Sequence, residues 1–209
     1  SDALVESALR HAEILDRYDF QDFKVSLKAS EVFMTVDAYR KIASQIEQPL
    51  HLGITEAGTV RSGSIRTAIG LGLLLQEGIG DTIRVSLSAD SREEVKVGFE
   101  ILKSLDLRKK GAVLVACPSC GRADVDVIKL ANTVDSMLKK IKSPIKVAVM
   151  GCEVNGPGEA KDADVGIAAG NGRAVIFRRG KKARIVDAAD MLTSLMEEVR
   201  TVSAELAQA

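Results

Sequence analysis

The sequence predicts a parallel α/β protein built in two domains, and three observations predict it. Short apolar runs alternate with stretches of helical period, in a strand–helix unit that recurs about every thirty residues, the pattern of parallel sheets with crossover helices. The basic run Arg108-Lys109-Lys110-Gly111 breaks the array and divides residues 1–108 from 109–209. Beyond it come one more strand–helix–strand unit and then two strands linked by Gly170-Asn171-Gly172. Both an open doubly wound sheet and part of a (β/α)8 barrel fit the first domain. A complete barrel needs about 250 residues, and about 106 precede the second domain.

Each element has its own reason. Leu4, Ala8, Ala12 and Leu15 fall at helical spacing, so a helix spans residues 2–17. Phe23 to Leu27 alternates as a strand, with Lys28 just past it. Val36 to Ile46 is the next helix, with Thr35 as its N-cap. Leu50 to Ile54 is a strand ending in Thr55-Glu56-Ala57-Gly58, and the apolar stretch Ile65 to Gln76 is a buried helix. Ile83 to Leu87 is a third strand. Ser91 and Glu94 have the spacing of a capping box for a helix over 92–105, with Val95, Phe99 and Leu102 as its inner stripe. The second domain reads as strand 112–116, helix 123–141, strand 145–150, strands Val165–Ala168 and Ala174–Phe177, a hairpin turn over Arg178–Lys182 into Ala183–Val186, and a closing amphipathic helix over 187–207.

Composition narrows the class. An apolar fraction of 46% and a charged fraction of 28% belong to a soluble globular protein. The 29 basic and 29 acidic residues balance, and aromatic content is 3%, which argues against a general nucleic-acid binder. No apolar run approaches the ~20 residues of a membrane span. The chain starts directly in a helical pattern with no signal peptide. Three cysteines, two of them in a C-x-x-C, suit a reducing cytoplasm better than a disulfide framework.

Those cysteines are where the chemistry gathers. Cys117 and Cys120 follow the apolar run Ala112–Ala116, and Cys152 follows Val147–Met150. Two parallel strands joined by a helix would bring all three thiols to one sheet edge, the carboxyl end where α/β sheets keep their ligands. Taken alone, Cys117-x-x-Cys120 fits a zinc site, a dithiol or an iron–sulfur cluster equally. Zinc lacks a second C-x-x-C or a nearby histidine to close its site, and a dithiol leaves Cys152 idle. His11 and His51 lie far back in the sequence. Glu159 is closer, and the turn Asn155-Gly156-Pro157-Gly158, with glycines that would allow a positive φ, could fold it into the same pocket. Soft thiolates favour iron–sulfur clusters or zinc, and a carboxylate as fourth ligand would leave one metal corner weakly held.

The stretches Cys117-Pro-Ser-Cys-Gly-Arg122 and Met150-Gly-Cys-Glu-Val-Asn-Gly-Pro-Gly-Glu159 closely resemble the 4-hydroxy-3-methylbut-2-enyl diphosphate synthases. The resemblance covers essentially the whole chain. It implies the latter part of a (β/α)8 TIM-type barrel, followed by a smaller α/β cluster-binding domain like the sulfite reductase module. It implies a [4Fe-4S] cluster on Cys117, Cys120, Cys152 and Glu159. The activity implied is reductive opening of 2-C-methyl-D-erythritol 2,4-cyclodiphosphate, with flavodoxin or ferredoxin as electron donor and a homodimer as the working form. It further implies a large N-terminal portion absent here, so that residues 1–108 would expose sheet edges and the chain would be inactive alone. The competing reading is a thiol–disulfide oxidoreductase using Cys117 and Cys120. A third is an electron-transfer module with no substrate of its own.

The first domain supplies candidates for substrate. Lys28, Glu56, Arg84 and Ser86 lie at or just past the carboxyl ends of three strands, where barrel enzymes place their chemistry. They also match the family's segments Lys-Ala-Ser, Gly-Ile-Thr-Glu-Ala-Gly and Arg-Val-Ser. Lys28 and Arg84 are expected to neutralise a diphosphate, Ser86 to donate a hydrogen bond, and Glu56 to exchange protons with substrate. Asn155 is expected either to serve a left-handed turn position or to orient Glu159 or substrate as well. Arg122 is placed at the start of a helix, exposed or holding a phosphate. His51 begins a strand, at the wrong end for the pocket, and is read as structural.

Overall fold

The computed structural model describes residues 1–152 and 156–207, without the side chains of Pro157 and Glu159. The chain divides into two compact units, Ser1–Arg108 and Lys109–Ala209. The first holds α1 (Asp2–Arg17), α2 (Val32–Ala43), β1 (His51–Leu52), α3 (Val60–Gln76), β2 (Thr82–Ile83) and α4 (Ser91–Ser104). The second holds β3 (Val113–Ala116), α5 (Val127–Leu138), β4 (Lys146–Met150), α6 (Gly156–Glu159), β5 (Val165–Gly170), β6 (Arg173–Arg178), β7 (Lys181–Asp187), a 3-10 turn at Ala188–Asp190 and α7 (Met191–Leu206).

In the first unit three segments run parallel and side by side: Val25 pairs with Leu50, and His51–Leu52 pair with Thr82–Ile83. The ladder continues past these pairs, with Arg84 N–H donating to Leu52 O and Thr55 N–H to Ala29 O. Alternation puts Leu27, Leu50, Leu52, Ile54 and Val85 on one face, all buried. Most of them join Val36, Tyr39 and Ile42 of α2, Leu71 and Leu74 of α3 and Ile101 of α4 in one core. A single apolar side chain of this size stabilises by about 1.5–3 kcal/mol when fully buried. No closed barrel forms from these segments.

Several local readings need correction. Phe23–Leu27 makes one bridge rather than a strand, because side chains occupy part of its ladder. The Tyr39 hydroxyl accepts from Leu27 N–H and donates to His51 O, and Ser26 Oγ donates to the same carbonyl. Helix α2 starts at Val32, four residues before the sequence reading, and Thr35 lies inside it with Oγ1 bonded back to Glu31 O. Helix α4 is capped by Asp90, which accepts from Arg92 N–H, while Glu94 accepts from Leu87 N–H. Its inner stripe is Gly98 and Ile101, and Val95 and Phe99 face outward. Phe99 instead stacks under the Arg108 guanidinium, 4.0 Å from the ring centre.

The second unit has one five-stranded sheet in the order β3-β4-β5-β6-β7, parallel across β3, β4 and β5 and antiparallel beyond. Asn171 and Gly172, and then Arg179 and Gly180, have positive φ at both turn positions, the two-residue geometry that suits a twisted hairpin. One face of the sheet packs on α5 and α7 through Leu130, Val134, Val149, Ile167, Ile176 and Leu195. The other face carries Ala148, Met150, Ala168 and Phe177, with Ala160 and Ala163 laid over them.

Candidate functional site

The topology brings the cysteines together as their spacing predicts. β3 and β4 are parallel neighbours, in register from Val113 with Lys146 to Ala116 with Val149. Cys117 leaves the end of β3 still paired, its N–H donating to Val149 O at 3.1 Å. Cys152 follows β4 by two residues. Cys117 is half-buried, Cys120 exposed and Cys152 buried, and all three are free thiols. With Pro118, Gly121, Arg122 and Met150 they line one cavity of about 520 Å3.

Backbone groups shape this cavity. Gly151 N–H donates to Cys117 Sγ at 3.2 Å, the kind of contact that sets the electron density on a ligating sulfur. A Cβ on Gly151 would meet Val127 Cγ2 at 2.1 Å, so only glycine lets the β4 end sit against the start of α5. α5 begins at Val127, capped by Asp126 accepting from Lys129 N–H. Arg122 therefore lies ahead of the helix rather than on its first turn, and it lines the cavity wall.

Gly156 and Gly158 do not have the positive φ expected of them; they open the helical turn α6. Gly156 is there for contact: a Cβ would stand 2.4 Å from Ala168 Cβ and 3.4 Å from Met150 Cβ. The turn thus packs closely against Ala168 of β5 and Met150 of β4. Asn155 and the side chain of Glu159 lie outside the described residues.

Among the described residues no group of three or more His, Cys, Asp or Glu side chains is close enough to hold a single metal ion. Three free thiols around one cavity, one with an N–H directed at its sulfur, are a donor set that fits an iron–sulfur cluster.

In the first unit the pairing register sets Ser26, His51 and Thr82 abreast, and Lys28, Gly53 and Arg84 abreast in the next row. Both rows, with Ser86 beyond them, stand on the face opposite the core. Lys28 is exposed, and Arg84 and Ser86 are half-buried. The Arg84 Nε is buried and has no hydrogen-bond partner among the described residues, a donor left for an acceptor from outside the chain. Glu56 lies past the end of β1, exposed, with φ at 52°, a left-handed conformation that side-chain-bearing residues seldom adopt. The structure puts Lys28, Arg84 and Ser86 on one face. His51 stands on the same face, at the start of β1 and one row toward the amino ends of the segments.

Two family profiles account for most of the chain: the GcpE TIM-barrel domain over residues 1–99 and the GcpE protein C-terminal domain over residues 113–201. The chain belongs to the GcpE family. Its curated relatives include proteins named 4-hydroxy-3-methylbut-2-en-1-yl diphosphate synthase (flavodoxin). That of Alcanivorax borkumensis is 61% identical over 200 residues, covering 96% of this chain and 54% of the relative. That of Hahella chejuensis is 65% identical over 180 residues, covering 86% and 49%. That of Saccharophagus degradans is 59% identical over 204 residues, covering 98% and 55%. The chain spans about half the length of these relatives. No helix is long and apolar enough to cross a membrane among the described residues.

Proposed function

We propose that the whole protein reduces 2-C-methyl-D-erythritol 2,4-cyclodiphosphate to 4-hydroxy-3-methylbut-2-enyl diphosphate. The observation that carries this reading is the convergence of three free thiols on one cavity at the carboxyl ends of adjacent parallel strands. Cys117, Cys120 and Cys152 would hold a [4Fe-4S] cluster, with Glu159 as the fourth ligand. When bound, that cluster supplies electrons one at a time, two in all, for ring opening and loss of a hydroxyl as water. Flavodoxin is the donor in keeping with the relatives' names.

The chain's own residues would bind and orient. Lys28 and Arg84 neutralise the diphosphate, Arg84 through the buried Nε that has no partner among the described residues. Ser86 adds a hydrogen bond. Glu56, exposed past the strand end, exchanges protons with substrate. Asn155 orients Glu159 or substrate. Residues 1–108 serve as the latter part of a (β/α)8 barrel and residues 109–209 as a cluster domain of the sulfite reductase type. The working form is a homodimer, in a reducing cytoplasm where three thiols stay free.

Anaerobic reconstitution of the whole protein with iron and sulfide tests the reading. It should give broad visible absorption and about four irons per chain. Cys117→Ser, Cys120→Ser and Cys152→Ser should each lower the iron content, and Glu159→Ala should leave a cluster that loses one iron readily. Uptake of no iron, with oxidation of Cys117 and Cys120 to a disulfide, would instead make the protein a dithiol oxidoreductase. A cluster with no dependence on organic substrate would make it an electron-transfer module.

A further inference from the structure

The row Lys28–Gly53–Arg84 has no side chain at its centre. A Cβ on Gly53 would stand 3.1 Å from Arg84 O and 3.6 Å from Arg84 Cβ. Arg84 thus packs close against the buried Gly53 backbone, with Lys28 on the other side of it. The neighbouring row of the same face has His51 as its middle residue. The imidazole is held at one edge, with Nδ1 2.7 Å from Thr82 Oγ1.

We infer that His51 completes an anion seat with Lys28 and Arg84, taking up a proton from solvent as a phosphate group enters and donating an N–H toward it. The other ring N–H is then donated to Thr82 Oγ1, which fixes the ring plane. This deepens the proposed function by naming the substrate's diphosphate as the group seated, and it rests on that reading. His51 is a positioning residue here: it makes and breaks no covalent bond other than its own N–H.

Electrostatics support the geometry. Partial burial holds His51 below the ordinary histidine pKa, and the positive charges of Lys24, Lys28 and Arg84 push it further the same way. Lys24 and Lys28 face it from the segment before β1, and Arg84 from the end of β2. Asp81, at the start of β2, turns its carboxylate to Leu50 N–H. His11 of α1 lines a groove with Lys24 and Lys28, its own Nδ1 lying 2.7 Å from Ser7 O. Glu56 lies beyond the end of β1. A neutral ring among cations gains its proton when an anion cancels their field.

Calorimetric titration of the whole protein with the cyclic diphosphate, and separately with inorganic pyrophosphate, tests this in buffers of different ionisation heat. Binding near neutral pH should be accompanied by proton uptake. Affinity should rise toward lower pH, by about tenfold for each unit of pKa that His51 gains. In His51→Gln the uptake should vanish, while affinity at alkaline pH stays within about twofold of the original. His51→Asn serves if the glutamine variant fails to fold. Binding without proton uptake, or uptake that survives in both variants, overturns the inference and leaves the proposed function standing. Uptake with pyrophosphate but no binding of the cyclic diphosphate keeps the seat and removes the proposed substrate. Failure of both ligands to bind overturns both readings.

Discussion

In the second unit, strands of four to seven residues pair through backbone ladders, and both faces of the sheet are covered. In the first, regular pairing is two residues long and one face is polar. The difference comes from what the strand residues must do. β4 and β5 are buried along nearly their whole length, so every N–H and C=O needs a partner in the ladder. The segments of the first unit carry Lys24, Ser26, Lys28, His51 and Arg84 on their open face. There the Tyr39 and Ser26 hydroxyls and the Asp81 carboxylate take up backbone groups that a longer ladder would have paired. The second sheet is a scaffold for a loop, and the first carries its polar side chains on the sheet itself.

The contrast can be broken at graded cost. Ile167→Ala removes a fully buried side chain from the core of the second unit and should cost about 2–5 kcal/mol. Hydrogen exchange should quicken across β4, β5 and β6 and stay unchanged in α2 and α3. Exchange that quickens equally in both units would mean that they do not unfold separately. Tyr39→Phe keeps the volume but leaves Leu27 N–H without its acceptor, a loss of about 1–3 kcal/mol. The Leu27 amide should be the site of greatest change, and an unaltered Leu27 amide would show that the hydroxyl does not support the ladder.

Smaller effects sharpen the same comparison. Asp90→Ala should destabilise α4 by about 1 kcal/mol. Ser91→Ala should be nearly silent, since Asp90 is the cap; the reverse order in denaturant midpoints would restore the capping box. The smallest effect is in pH. The folded His51 pKa lies below its unfolded value, so near pH 6 the unfolded chain binds more protons. Stability of the first unit should therefore rise with pH through about 6.5, the ordinary histidine value. His51→Gln should flatten that slope in melting curves taken at about pH 5.5 and about pH 7.5. A slope unchanged by the substitution would place the acid sensitivity elsewhere.

Much of this was readable in advance where one physical signal dominated. α1 and α3 end where their helical periods end, and Asn171-Gly172 closes β5 onto β6 as a pair that tolerates positive φ at both turn positions. The meeting of Cys117, Cys120 and Cys152 needed only two parallel strands. Reading failed where two explanations of one pattern compete. Val95 and Phe99 share a helical stripe, yet Gly98 and Ile101 hold the inner face, with Gly98 turned toward Val85 and Ile83. Gly156 looked like a turn residue and is a packing residue. That His51 shares a face with Lys28 and Arg84 was not legible, because the neighbours of a side chain across a sheet depend on register, which one segment's sequence does not contain.

The buried phenol of Tyr39 also has a spectroscopic consequence. Within these 209 residues there is no tryptophan and there are only two tyrosines. Both lie in the first unit, Tyr39 fully buried and Tyr18 80% exposed. Tyrosine emission from this stretch is therefore blind to the second unit. Burial also raises the Tyr39 pKa above that of an ordinary phenol, so in an ultraviolet titration it becomes phenolate only after the usual range is passed. An iron–sulfur chromophore, if bound as proposed, would absorb visible light from the second unit alone. The chain would then carry two optical reporters, one in each unit, with no label added.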